Sequence, residues 1–406
     1  IAYTRDQGRV SVNDFDRFSG RVNLNQKVGK VLEFATGVSL SRTSKSGFND
    51  TVNTGSNYFY QSRNMFWGLY WPTDYKSGKD WTSRYGSYAY NPLYYNKEWE
   101  NLSINTRISA SETVTLHILP GLDAKTILSY DNTGVRDHVY YSPNHYLGSS
   151  ANGKVNEMRT TYEKLVSSST LHYNKSFAGK HSIGLLAGFE AEKNNTDFVR
   201  ASGENMPSDQ LHTVSTSGTT TSAGYNWGNS LVSIISKADY NYDEQYFLSA
   251  SYRRDGSSRL SPKVRWGNFW SVSGAWRIIS EPFMSGVSSF LSDLKFRASY
   301  GVNGTLPTDN YGYINLMSYS NKYMGEPGSV LSTLANQNLS WETSYTANFG
   351  LDFGFFNQRL KGSVEYFNRD SRDLIQNVPV STTTGFSKTL QNVGVINNHG
   401  VELSLS

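Results

Sequence analysis

Apolar and polar residues alternate with a period of two through most of this chain, and the run from Ser230 to Ile279 shows the pattern most clearly. Val232, Ile234, Ala238 and Tyr240 alternate there with Ser233, Lys237 and Asp239, as in a strand with one apolar and one polar face. The chain then turns at residues 241–244. Tyr246, Leu248, Ala250 and Tyr252 repeat the alternation, and after a polar loop Trp270, Val272, Gly274, Trp276 and Ile278 do so again. Such a run predicts a meander of antiparallel strands.

The same rhythm extends along the chain. A hairpin is predicted from Phe18, Gly20, Val22 and Leu24 across 26–29 to Leu32, Phe34, Thr36, Val38 and Leu40. Leu102, Ile104 and Ile108 lead to a turn at Ser111–Glu112, and Val114 to Leu128 form the return strand, with Pro120–Gly121 read as a bulge or an edge. Leu165, Leu171 and Tyr173 turn through 174–180 into Ile183, Leu185, Ala187, Phe189 and Ala191. Further strands are predicted at 294–302, 345–353, 360–366 and 401–405.

Connections alternate between short and long, with long ones near 42–101, 131–159, 193–229, 304–340 and 369–398. Outer-membrane barrels have this asymmetry, whereas a sandwich or propeller has no reason to sort its loops so. Aromatic residues crowd the short turns at Tyr173, Phe177, Tyr240, Tyr242, Tyr246, Phe247, Phe353, Phe355 and Phe356, where an interfacial belt would lie. The count of predicted strands is thirteen. An odd number cannot close a barrel of alternating antiparallel strands, so the pattern predicts that strands are missing and that sequence precedes residue 1.

Composition fits this picture. Aromatic residues make up 14% of the 406, and Gly, Ser, Asn and Thr are abundant, which favours strands and turns over helices. Mean hydropathy is −0.52, which a barrel tolerates because only alternate residues meet lipid. There is no cysteine, so disulfides, thiolate metal sites and cysteine nucleophiles are excluded. The net charge of +4 comes from dispersed Lys and Arg, which argues against a nucleic-acid partner.

The runs YRRDGSSRL (252–260), FWSVSGAWRIISEPFM (269–284), LKFRASYGVNG (294–304), NQNLSWET (336–343), LDFGFFNQRLKGSVEYFNRDSRDLI (351–375) and TTGFSKTLQNVGVINNHGVELS (383–404) together resemble the SusC/RagA family of TonB-linked outer-membrane transporters. The match is most specific over 230–406. LNQKVGK and LPGLDAKTILSYD carry the family's cadence further upstream. The resemblance implies an all-β fold, a transmembrane antiparallel barrel of about 22 strands closed by a plug. It also implies an integral place in the outer membrane of a Gram-negative, Bacteroidetes-like bacterium. Residues 1–406 read as a partial barrel domain in which no plug, TonB box or terminal strands are recognisable.

The function implied is TonB-dependent import of nutrients, oligosaccharides or peptides too large for passive pores. Its partners would be a SusD-like surface lipoprotein, the TonB-ExbB-ExbD complex through a part not seen here, and outer-membrane lipid. Pairing of transporter–lipoprotein units into a homodimer is a further expectation. Two rivals stand beside this reading, a passive porin and a surface glycan-binding or adhesion β-protein.

The candidate ligand residues are the aromatics of the long loop at 58–99, above all Trp67, Tyr70, Trp71, Trp81, Tyr85 and Tyr88. Such rings stack on sugars or peptide side chains, or pack the loop onto itself or a lid, and the sequence leaves both open. The signature positions Arg254, Asp255, Gly256, Ser257, Ser258, Trp276, Trp341, Gly394, Asn398, Gly400 and Glu402 are expected to be structural. Arg253 to Gly256 read as a charged turn rather than a carboxylate clamp, and Asp131, Asn132 and Gly134 as a turn rather than a calcium loop. The seven histidines match no catalytic motif, and no catalytic residue, metal or cofactor is expected.

Overall fold

The computed structural model describes residues 1–8, 13–47, 98–145, 147–287, 290–319 and 322–406. Fourteen strands form one antiparallel sheet in which sequence neighbours are spatial neighbours. They are β1 (Ala2–Gln7), β2 (Asp14–Val28), β3 (Leu32–Ser46), β4 (Trp99–Leu119), β5 (Leu122–Tyr141), β6 (Lys154–Phe177), β7 (His181–Glu204), β8 (Thr219–Tyr242), β9 (Tyr246–Ser257), β10 (Trp266–Arg277) and β11 (Leu291–Thr305). Four two-residue strands follow inside one outer loop, β12 (Met317–Ser318), β13 (Lys322–Tyr323), β14 (Glu326–Pro327) and β15 (Val330–Leu331), paired β12 with β15 and β13 with β14. The large sheet resumes with β16 (Glu342–Phe355), β17 (Leu360–Pro379) and β18 (Lys388–Leu405).

The strand count corrects the sequence expectation of thirteen. The added strand is β1, paired with β2 from Ala2↔Ser19 to Gln7↔Asp14. Its sequence AYTRDQ carries no alternation because all six residues are exposed. With fourteen strands described, the argument from an odd count no longer holds.

Two further corrections concern turns and lengths. The β4–β5 turn is Pro120–Gly121, not Ser111–Glu112, which pair inside the ladders with Ser129 and Leu128. Gly121 has φ of 85° and its carbonyl accepts from the Asn174 N–H at 2.7 Å, so proline and glycine do here what they do in tight turns. Strands β6, β7 and β8 each run 24 residues, far beyond the nine to eleven of a minimal crossing. At about 3.3 Å per residue and a tilt near 45°, each rises roughly 55 Å, against an apolar band of about 25 Å.

The wall therefore stands well above the membrane, where the outward face no longer meets lipid and alternation fades. For that reason the outer connections are 142–153, 205–218 and 380–387, not 131–159, 193–229 and 369–398. Asp131, Asn132 and Gly134 lie within β5, and Asp131 binds Arg107, so the predicted turn is a strand. Arg253 to Ser257 likewise lie in β9, and Gly394, Asn398 and Gly400 in β18.

The two faces differ as a membrane wall requires. One shows Val22, Leu24, Val38, Leu40, Ile108, Leu128, Leu165, Phe189, Ile234, Leu248, Val272, Phe349, Val364 and Leu403, all exposed. The other carries ion pairs such as Arg253 with Asp255 and Glu190, Arg297 with Asp352 and Glu365, and Lys164 with Glu192. At the short-turn end the aromatics form a girdle, with Phe177 stacked on His181, Tyr246 on Trp276, and Phe290 against Phe355 and Phe356.

Candidate functional site

The ladders set side chains of the polar face in rows across the strands. One row runs Arg21, Ser39, Ser109, Asp131, Lys164, Asn194, Asn229 from β2 to β8. The next row toward the long loops runs Ser19, Ser41, Arg107, Thr133, Tyr162, Thr196, Trp227. The third runs Arg17, Thr43, Asn105, Val135, Thr160, Phe198, Tyr225. Because register repeats every second residue, these three rows share one face of the wall.

Over β6 to β8 these rows become an aromatic strip with an amide ladder beneath it. Phe198 and Tyr225 stack with centroids 4.9 Å apart, and Tyr162 and Tyr225 are about half exposed. On the row below, Lys164 Nζ lies 2.9 Å from Glu192, whose other oxygen accepts from Asn194 Nδ2 at 2.7 Å. Asn194 Nδ2 also donates to Asn229 Oδ1 at 3.0 Å, and Asn229 Nδ2 to Asn310 Oδ1 at 3.0 Å.

Asn310 and Tyr311 belong to the loop 306–341, and Tyr311 meets the backbone of Gly228 at 3.4–3.5 Å. Behind them opens a cleft of about 500 Å³ lined by Trp227, Tyr311, Leu316, Asn377, Phe386 and Lys388. Flat rings beside fixed amides suit a flexible polar oligomer, since the rings stack on its apolar faces and the amides take its hydroxyls or peptide groups.

A buried cluster holds this loop in place. Leu260, Phe269, Val302, Leu339 and Trp341 are all buried, and Trp341 meets Phe269 edge-on at 5.1 Å while its Nε1 donates to the Arg265 carbonyl at 3.0 Å. A second cluster, Tyr140, Val155 and Met206, supports the outer ends of β5 and β6. His145 lies in the adjoining loop, and burial pushes its imidazole down to about 4.

The six loop aromatics expected to bind ligand, Trp67, Tyr70, Trp71, Trp81, Tyr85 and Tyr88, lie outside the described residues. The signature positions distribute along the wall rather than converge. Arg254 caps the Trp266 ring at 5.2 Å, and Asp255 accepts from Arg253 Nε at 2.7 Å. Gly256 lies under Trp266, where a Cβ would come within 2.7 Å of the ring. Ser258 Oγ accepts from the Ser230 N–H at 2.8 Å, and Ser257 Oγ from the Arg259 N–H at 3.2 Å. Trp276 Nε1 donates to Glu281 at 2.9 Å in the short-turn connection. In β18, Gly394 sits at a bulge opposite Leu374, while Asn398, Gly400 and Glu402 pair with Arg369, Phe367 and Glu365.

Sequence reasoning missed Tyr162, Phe198, Tyr225, Trp227 and Tyr311. The signal was present in GYNWGN, where aromatics alternate with small and polar residues at period two inside a stretch read as loop.

A family model described as TonB dependent receptor-like, beta-barrel, matches residues 5–406. The chain belongs to the TonB-dependent receptor β-barrel family. It is 28% identical over 443 residues to the TonB-dependent receptor SusC of Bacteroides thetaiotaomicron, covering 100% of this chain and 42% of that protein. A TonB-dependent receptor of Formosa agariphila is 28% identical over 425 residues, covering 100% of this chain and 38% of that protein. The RagAB peptide transporter superposes with a TM-score of 0.84 at 27% identity, over 97% of this chain and 44% of that one. The chain thus spans less than half the length of these relatives. It is a SusC/RagA-like barrel wall, integral to the outer membrane, and its family is one of transporters rather than enzymes.

Proposed function

We propose that this chain forms the greater part of the wall and outer rim of a TonB-dependent importer of oligosaccharides or peptides, working with a SusD-like lipoprotein lid. The observation that carries the reading is the strip of Tyr162, Phe198, Tyr225 and Trp227 on the polar face, set toward the long loops and joined to loop 306–341 through Asn229 and Asn310. A cargo held there would lie between the outer loops and the lumen, where release inward requires a conformational step elsewhere in the transporter. Rings beside amides suit an oligosaccharide and a peptide alike, and the oligosaccharide reading is the one put to the test below. A porin needs no such strip, since tight contacts slow passive flow.

The test is binding and uptake by the full-length transporter carrying Tyr225→Ala and Trp227→Ala together. We expect oligosaccharide binding weaker by about tenfold or more, in line with the loss of two stacking rings, and uptake reduced at low cargo concentration. Wild-type binding and uptake in that variant would remove the strip from the transport path.

A further inference from the structure

The rows that carry the aromatic strip change character on β2 to β4. There they present Arg17, Arg21 and Arg107 among Ser19, Ser39, Ser41, Thr43 and Ser109. Beside these arginines and serines lies a cleft of about 460 Å³ whose other side is Ile1 and Ala2, at the first residues of the sequence. Arg107 is engaged, with Nε 2.8 Å and an Nη 2.6 Å from Asp131. Arg17 and Arg21 have no ion pair or hydrogen bond among the described residues. Asp131 is the only carboxylate on these three rows between β2 and β5, and the next row outward carries Lys45 together with Asp6 and Asp137. The patch is therefore a net cationic, hydroxyl-rich surface within the otherwise ion-paired polar face.

Its spacing relative to the strip is fixed by the sheet. Strands lie about 4.8 Å apart, so on the outermost of the three rows Arg17 stands roughly 24 Å from Phe198 and roughly 29 Å from Tyr225. Arg17 and Arg21, four residues apart on one strand, are separated by roughly 13 Å. A chain of about five or six sugar rings laid across the strands would reach from Phe198 and Tyr225 to Arg17 along that row. Guanidinium groups with neighbouring hydroxyls recognise planar carboxylates and tetrahedral sulfates through paired hydrogen bonds, and neutral sugars offer them nothing comparable.

We infer that the cargo is an acidic oligosaccharide, bearing uronate or sulfate groups, whose rings stack on Tyr162, Phe198, Tyr225 and Trp227 while an anionic group seats between Arg17 and Arg21. This rests on the reading of the wall as a glycan-importing surface and names the class of glycan.

The experiment uses the full-length transporter on an array of neutral, uronate-containing and sulfated hexasaccharides together with acidic peptides, read at low and high salt. Wild type should bind acidic sugars about tenfold or more tightly than neutral ones, with the preference shrinking as salt screens it. Arg17→Gln/Arg21→Gln should abolish the preference while leaving neutral-sugar binding unchanged. Arg17→Lys/Arg21→Lys, which keeps the charge but loses the paired donors, should retain only part of it, and this variant guards against a folding defect. Four results would overturn the proposal: binding of neutral sugars alone, selective binding of acidic peptides, binding of no array member, or an acidic preference that survives the glutamine substitutions. A fifth would reassign the patch. If the glutamine variant left the preference intact but made cells permeable to large antibiotics, the arginines would hold a lumen-filling segment instead of cargo. TonB-dependent uptake of a neutral glycan with no acidic preference would refute this inference and leave the importer reading standing.

Discussion

Asp243 and Glu244 turn β8 into β9 with φ of 52° and 55°, the left-handed region that suits glycine or asparagine far better than glutamate. The pair makes a tight connection whose twist matches the strands it joins, and Asp243 is held by Lys180 at 2.8 Å from the neighbouring turn. Glu244 has no ion pair among the described residues. Replacing Glu244 with Gly should raise stability by about 1 kcal/mol, read as a higher urea midpoint for unfolding in detergent. Asp243→Ala should lower it, because it loses the contact to Lys180 as well as a residue type that tolerates this conformation.

His145 gives the pH dependence. Its Nδ1 accepts from the Leu147 N–H at 3.1 Å, and burial favours the neutral ring. Because the folded value lies below the usual 6.5, the unfolded loop takes up the proton first. The loop's stability is full above about pH 6.5 and declines as pH falls toward 4. Hydrogen exchange at 147–153 should therefore quicken across that window, and His145→Gln should flatten the dependence.

Among the elements, the hairpins were legible wherever one face meets lipid. Val232, Ile234, Leu248 and Val272 alternate because lipid demands it, and each lies on the exposed apolar face or beside it. Above the membrane that demand disappears. Residues 193–204 and 219–229 form paired strand, yet they carry KNNTDFVRASGE and TTTSAGYNWGN, in which only the aromatics keep the period. The aromatic strip was thus hidden in text that resembles loop, while β1 was hidden because none of its residues is buried.

The same scale yields a test of how loop 306–341 is fixed. Trp341 anchors it through Phe269 and the Arg265 carbonyl, so Trp341→Ala should cost about 3–5 kcal/mol locally. The expected readout is protease cleavage within 306–341 at much lower enzyme concentration, with the heat resistance of the barrel itself retained. Loss of barrel heat resistance would show instead that the cluster supports the wall as a whole.

At the scale of the whole molecule, fourteen strands in sequence order make a wall whose longest described connection, 306–341, leaves from one end, while the opposite end has tight turns and the connection 278–290. One face is apolar where lipid would lie, and the other carries paired charges, the arginine patch and the aromatic strip. Ion pairs such as Arg297 with Asp352 and Glu365 occupy the part nearer the short turns, whereas Arg17 and Arg21, with no ion pair among the described residues, and the rings of Tyr162 and Tyr225 sit toward the long loops. Under the proposed function this places the candidate binding groups at the end from which cargo would enter. Under the proposed import reading, energy for release inward comes from outside this wall, and that requirement separates an active importer from a porin.

The measurement that bears on this most directly is uptake of a glycan bound by the full-length transporter, in otherwise identical cells with and without the TonB system. The account predicts uptake in the first cells and none above background in the second, with surface binding equal in both. Equal uptake in the two strains would contradict it and make the protein a passive pore.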